Sequence, residues 1–183
     1  LQVLSKLFNL ALYQTGWFCC VLGAARDRPW LGAAAATVLI LVHVALVRQA
    51  KREIGLLLAA CLIGGVVDSL QSCFGLLRFE SGYVVGCIAP PWILVMWMQF
   101  ATLFRFGLAF LSGRYLLGAV LGALGGPFAF WVGERLGAVD FGAPAWRSLL
   151  VLGAVWAVAT PTLLRLAGAA RGAALQIGYR GLS

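Results

Sequence analysis

Charge is scarce in this 183-residue chain: 11% of its residues are Asp, Glu, Lys or Arg, and only 6 are acidic. Soluble domains carry about 25% charged residues, so an ordinary water-facing surface is excluded. Histidine occurs once, as His43. That removes membrane enzymes built on histidine clusters, since a metal site needs three or four ligands. No phosphate-binding glycine loop, HExxH helix or GxSxG elbow is present, and with them go the reactions those motifs support. An intramembrane serine protease would need Ser and His at one depth, whereas His43 falls near the inner side, out of reach of Ser69 and Ser72. No cysteine pair has the two-residue spacing of a zinc or redox site. Cys19, Cys20, Cys61, Cys73 and Cys87 read first as small packing residues. Cys73 with Cys87 is the candidate pair if any bridge forms. An enzyme is the less favoured reading, and neither cofactor nor metal is expected.

What the chain has in quantity is apolar surface, at 62% hydrophobic residues and a mean hydropathy of +0.96. A membrane-crossing helix needs about 20 mostly apolar residues, and six segments qualify: 7–25, 31–47, 54–77, 91–111, 115–132 and 148–164. The fold class expected is therefore all-α, a polytopic bundle of six transmembrane helices. Residues 1–166 form that single domain, and 167–183 a short basic tail. Lys6 before an apolar run ending in Gly23, Ala24 and Ala25 resembles a signal peptide, but Asn9 and Gln14 are too polar for its core. The first segment is read as an uncleaved helix.

The net charge of +8 lies in short gaps between apolar runs rather than on one solvated face. This argues against nucleic acid and for topology signals. Lys6, Arg48, Lys51, Arg52, Arg105, Arg114, Arg165, Arg171 and Arg180 fall on one side, and Arg26, Arg28, Arg78, Arg135 and Arg147 on the other. The nine-to-five bias places both termini in the cytoplasm. The stretch 78–90 is too apolar for a free loop and too short to span, so it should lie in the interface or dip back. Gly125, Gly126 and Pro127 should kink the fifth helix.

Asp68 is the most informative side chain, because a carboxylate within a span is costly and marks a function or a buried partner. Ser69, Gln71 and Ser72 follow it. The same depth in the first and fourth helices reaches Gln14, Thr15 and Gln99, so an intramembrane polar cluster of these seven residues is expected. Two readings stay open: a structural clasp, or a site for a proton, cation or polar headgroup. Gly118, Gly122 and Gly126, with Pro127, form a helix-packing face, read as intramolecular rather than dimeric. Arg48, Lys51, Arg52 and Arg105 are candidates for headgroup contact, Arg105 by snorkelling. Several of the seven tryptophans fall near predicted helix ends, as an interfacial belt requires, and they are read as fixing helix position.

Asn9, Gln14, Trp17 and Phe18, then Pro29 and Trp30, Asp68, residues 78–82, and Gly125, Gly126, Pro127 followed by Gly133, Leu136, Gly137 and Ala138 form a pattern. It resembles a family of small bacterial inner-membrane proteins known only as a domain of unknown function, over residues 9 to about 166. The resemblance implies multi-pass residence in the bacterial inner membrane and no established activity. It also implies genes beside lipid-modifying enzymes, including relatives of cyclopropane fatty acid synthases and flavin amine oxidases. The chain departs from the family late in the fourth helix, reading Arg105, Phe106 where an Asn-His pair is expected. The function expected is a non-catalytic subunit or scaffold supporting membrane-lipid modification. Its partners would be membrane lipids and a lipid-modifying enzyme at the cytoplasmic face. The alternative is a small transporter or lipid-handling carrier using the cluster around Asp68.

Overall fold

The computed structural model describes residues 2–169. Arg171, Arg180 and most of the expected basic tail lie outside them. The described chain is α1 (Gln2–Ala25), α2 (Pro29–Leu46), α3 (Ala50–Cys73), β1 (Leu77–Phe79), α4 (Pro91–Ala101), a 3₁₀ turn (Ala109–Leu111), α5 (Tyr115–Arg135), β2 (Val139–Phe141) and α6 (Ala145–Ala169). All but α4 have 18 to 25 residues. At 1.5 Å per residue each crosses a hydrocarbon core of about 30 Å. Their outward faces carry large apolar side chains such as Leu62, Val66, Leu116, Leu124 and Val158. Among the described residues, five helices are thus long and apolar enough to span a membrane.

The fourth expected span is different. A helix over 91–111 is expected from hydropathy, yet α4 stops at Ala101 after 11 residues. Tight turns follow, with Leu103 N bonded to Phe100 O, Phe106 N to Leu103 O, and Leu108 N to Leu103 O. Ala101 to Phe106 are all buried, as irregular backbone at membrane depth must be. Asn9 of α1 holds the break: its Nδ2 donates to Thr102 O at 3.1 Å, and its Oδ1 accepts from Gly107 N at 3.3 Å. A polar side chain from another helix satisfies groups that the helix would otherwise have bonded.

The two strands were not expected. They pair antiparallel, Leu77 with Phe141, Arg78 with Asp140 and Phe79 with Val139, and close one end of the bundle. Leu77 therefore belongs to this cap and not to the third helix. The Cys73–Cys87 disulfide lies at the same end, ties the 74–90 loop to the end of α3 and makes the conditional pairing of these two cysteines real. Cys19, Cys20 and Cys61 are free.

Glycines bring the helix pairs together. Gly23 on α1 faces Gly32 on α2, where an added Cβ would meet backbone at 2.9 Å. On α5, a Cβ at Gly118 would overlap Leu164, one at Gly122 would overlap Thr160 Oγ1 and Trp156 O, and one at Gly126 would overlap the Trp156 ring. This glycine face packs against α6 of the same chain. α5 runs unbroken through Pro127. The Ala123 carbonyl, whose helical donor Pro127 lacks, sits beside Gly153 of α6.

Candidate functional site

Asp68 lies in α3 with no solvent exposure. Gln71 Nε2 donates to its Oδ1 at 3.0 Å, and Trp97 Nε1 of α4 to its Oδ2 at 2.7 Å. Of the six residues expected to gather around it, only Gln71 does so. Gln14 and Thr15 are exposed on the outside of α1. Gln99 is buried but donates to Ala36 O at 2.9 Å, in space that Gly16 leaves open. Ser69 Oγ accepts from Ala89 N, and Ser72 Oγ bonds the Tyr83 hydroxyl at 2.9 Å. The single polar cluster is therefore corrected to several separate bonds. Equal depth along two helices does not make two side chains face each other, since direction around each axis also counts.

A second buried acid escaped the sequence reading. Glu53, in the first turn of α3, is fully buried. His43 Nε2 is 3.0 Å from its Oε1, and Arg105 Nη1 is 3.3 Å from its Oε2. The turn between α2 and α3 brings His43 to Glu53, and the break after α4 delivers Arg105. Arg105 does not snorkel to headgroups: it is 5% exposed and pairs with Glu53. Lys51 and Arg52 are exposed and Arg48 is half-buried at the α2–α3 turn. The signal for Glu53 was available, because His43 and Arg105 share a depth and Glu53 follows His43 across one tight turn.

The third feature is a groove. α1 packs on α2 and α4, and α5 packs on α6, so α1 and α5 flank a gap floored by α4. Tyr13 and Trp17 line one wall, Ala129 and Phe130 the other, and Trp97 and Phe100 the floor. Its cavity volume is about 40 Å³ and its lining is almost wholly apolar. Trp97 stacks on Trp156 at 4.6 Å and 15°, and Phe100 meets Trp156 edge-on at 5.0 Å.

These tryptophans correct the belt reading. Trp17, Trp92 and Trp97 are buried, whereas Trp30, Trp131 and Trp146 are exposed near the strand-capped end. Only the second group has the placement of interfacial anchors.

Residues 6–162 match the model of a family described as "Protein of unknown function (DUF2878)". The chain belongs to this family. No curated protein and no solved structure matches it. In this DUF2878 chain the matched span takes in Asn9, the Glu53 triad, the Asp68 pair and the whole groove.

Chemically, the two acids offer different things. The oxygens of Asp68 are both occupied by donors on packed helices, the geometry of a clasp. Glu53 joins α2, α3 and the irregular segment after α4 through charge-assisted contacts, stronger than neutral ones. The groove carries no such polar commitment, and at about 40 Å³ it admits a few methylene groups rather than a whole ligand.

Proposed function

We propose that this protein is a non-catalytic subunit of the bacterial inner membrane that holds a membrane lipid by its acyl chain, with both termini cytoplasmic. The observation that carries the reading is the aromatic groove between α1 and α5. Rigid rings wall it, little polar surface interrupts it, and it lies among helices whose outer faces suit lipid. An acyl chain entering from the bilayer would exchange lipid neighbours for ring contacts, and close packing is what drives association where water is absent. Presentation of a held lipid to a modifying enzyme at the cytoplasmic face is the supporting role that follows.

The transporter reading finds less support. A transport acid must exchange partners during its cycle, whereas Asp68 is closed in by Gln71 and Trp97.

The test is photocrosslinking in nanodiscs with a phospholipid carrying a diazirine in its acyl chain. Labelling of Tyr13, Met96 and Ala129, lost in Ala129→Phe, is expected. Labels confined to outward residues such as Leu62 and Leu116 would refute the proposal. Reporter fusions at Ser183 check the sidedness, and an active periplasm-only reporter there would overturn it.

A further inference from the structure

We infer that Asp68 is a positioning residue for the groove, setting through Trp97 whether the groove can accept an acyl chain. The inference rests on the lipid-binding reading and assigns Asp68 a part in it without contact with lipid. Asp68 has no exposure and is absent from the groove lining, whereas Trp97 belongs to the floor. Whatever Asp68 does to a ligand passes through the indole.

Trp97 sits in a slot. A Cβ at Gly64 would overlap its ring, so the α3 backbone closes against it there. The Trp156 ring stacks 4.6 Å away and nearly parallel. These contacts set the plane of the indole but not which edge of it meets the groove. The hydrogen bond from Nε1 to Asp68 Oδ2, at 2.7 Å, settles the edge. Gly64 and Asp68 stand four residues apart on one helix face, so slot and acceptor come from the same stretch of α3. Gln71 holds the second oxygen and prevents the carboxylate from turning away.

Removal of the acceptor leaves a buried indole N–H unsatisfied, a state proteins avoid. Without that bond nothing fixes which edge of the ring meets the groove, and the ring turns within its slot so that the opening narrows. Loss of Asp68 should therefore close the groove before it unfolds the bundle. Asn at this position keeps an acceptor oxygen for the indole and should keep the groove open.

The experiment uses the full chain in nanodiscs and the same acyl-diazirine phospholipid, comparing wild type, D68N, D68L, W97F and the D68L/W97F double variant. Labelling of Tyr13, Met96 and Ala129 should stay within about twofold of wild type in D68N and fall about tenfold in D68L. In the W97F background D68L should change labelling by less than about twofold, the signature of one residue acting through another. An equal fall with and without the Trp97 N–H would overturn the inference, as would wild-type labelling of a folded D68L. Should D68L fail to accumulate, Q71L carries the test: freeing the second carboxylate oxygen must lower labelling by about threefold with Trp97 present and by less than about twofold in the W97F background, and an equal fall in both would overturn the inference. An unlabelled wild type would end the lipid-binding reading itself, while a labelled wild type matched by D68L ends only the positioning role.

Discussion

Gly122 and Gly125 lie within one turn of α5 and should respond oppositely to the same substitution. A Cβ at Gly122 would overlap Thr160 Oγ1 and the backbone oxygen of Trp156 and come within 2.8 Å of Thr160 Cβ. The hydroxyl can rotate away, but the carbonyl belongs to α6 and yields only if the helices part. Overpacking of this kind costs about 1–3 kcal/mol, and the backbone contact puts Gly122→Ala at the upper end. Alanine returns about 1 kcal/mol of helix propensity, leaving a net loss of about 2 kcal/mol. At Gly125 nothing lies within 4 Å of the added Cβ, so only the propensity gain of up to about 1 kcal/mol applies. The two variants should differ by about 3 kcal/mol. Equilibrium unfolding from mild detergent into SDS, followed by tryptophan fluorescence, measures each midpoint. Equal shifts in the same direction would refute the assignment of the Gly122 face to α6.

Glu53→Leu leaves Arg105 buried without its carboxylate and should cost about 3–5 kcal/mol; in the same unfolding assay Glu53→Gln should cost less, and an effect no larger than that of Glu134→Gln would sink the triad. Cys73→Ser should lower stability by about 3 kcal/mol, the value for a loop of about 15 residues, and an unfolding midpoint unchanged by reductant in the wild type would contradict it. At the strand cap, the Arg78 guanidinium bonds Asp140 and holds its carboxyl below the usual 3.8, while hydrogen bonding to Asp140 raises Glu80 above 4.5. The Asp140 contribution is therefore kept above 3.8 and lost as pH falls through its lowered value, whereas the Glu80 contribution is lost as pH rises through its raised one. Because the Arg78 and Asp140 side chains are half or more open to solvent, amide exchange at Phe79 and Val139 should vary only weakly between pH 3 and pH 7, and a steep change there would refute the opposition of the two shifts.

The spanning helices were legible because hydropathy records composition, and five apolar runs became helices close to their expected bounds. The break after Ala101 was not, since 91–111 stays apolar throughout and the competitor that ends the helix, Asn9, lies far away in sequence. Asp68 was legible as a buried acid from the cost of placing charge in a span. Its partner Trp97 was hidden by grouping all seven tryptophans as anchors, although Trp97 falls mid-segment. Glu53 was lost among the basic residues Arg48, Lys51 and Arg52, where one acid looks like part of a solvated face. Only the folded turn shows it pointing inward to His43.

The break after α4 also bears on how the chain enters the bilayer. Eleven helical residues reach about 16 Å, half the thickness a lone segment must cross, and the turns beyond them cannot satisfy their own backbone in hydrocarbon. Asn9, His43 and Glu53, which receive this stretch, all belong to the three helices that precede it. Residues 91–111 thus have no stable place in lipid until α1, α2 and α3 stand assembled. The order of synthesis supplies that receptacle first, whereas a chain permuted to begin at α4 would bring the segment to the membrane before anything could accept it.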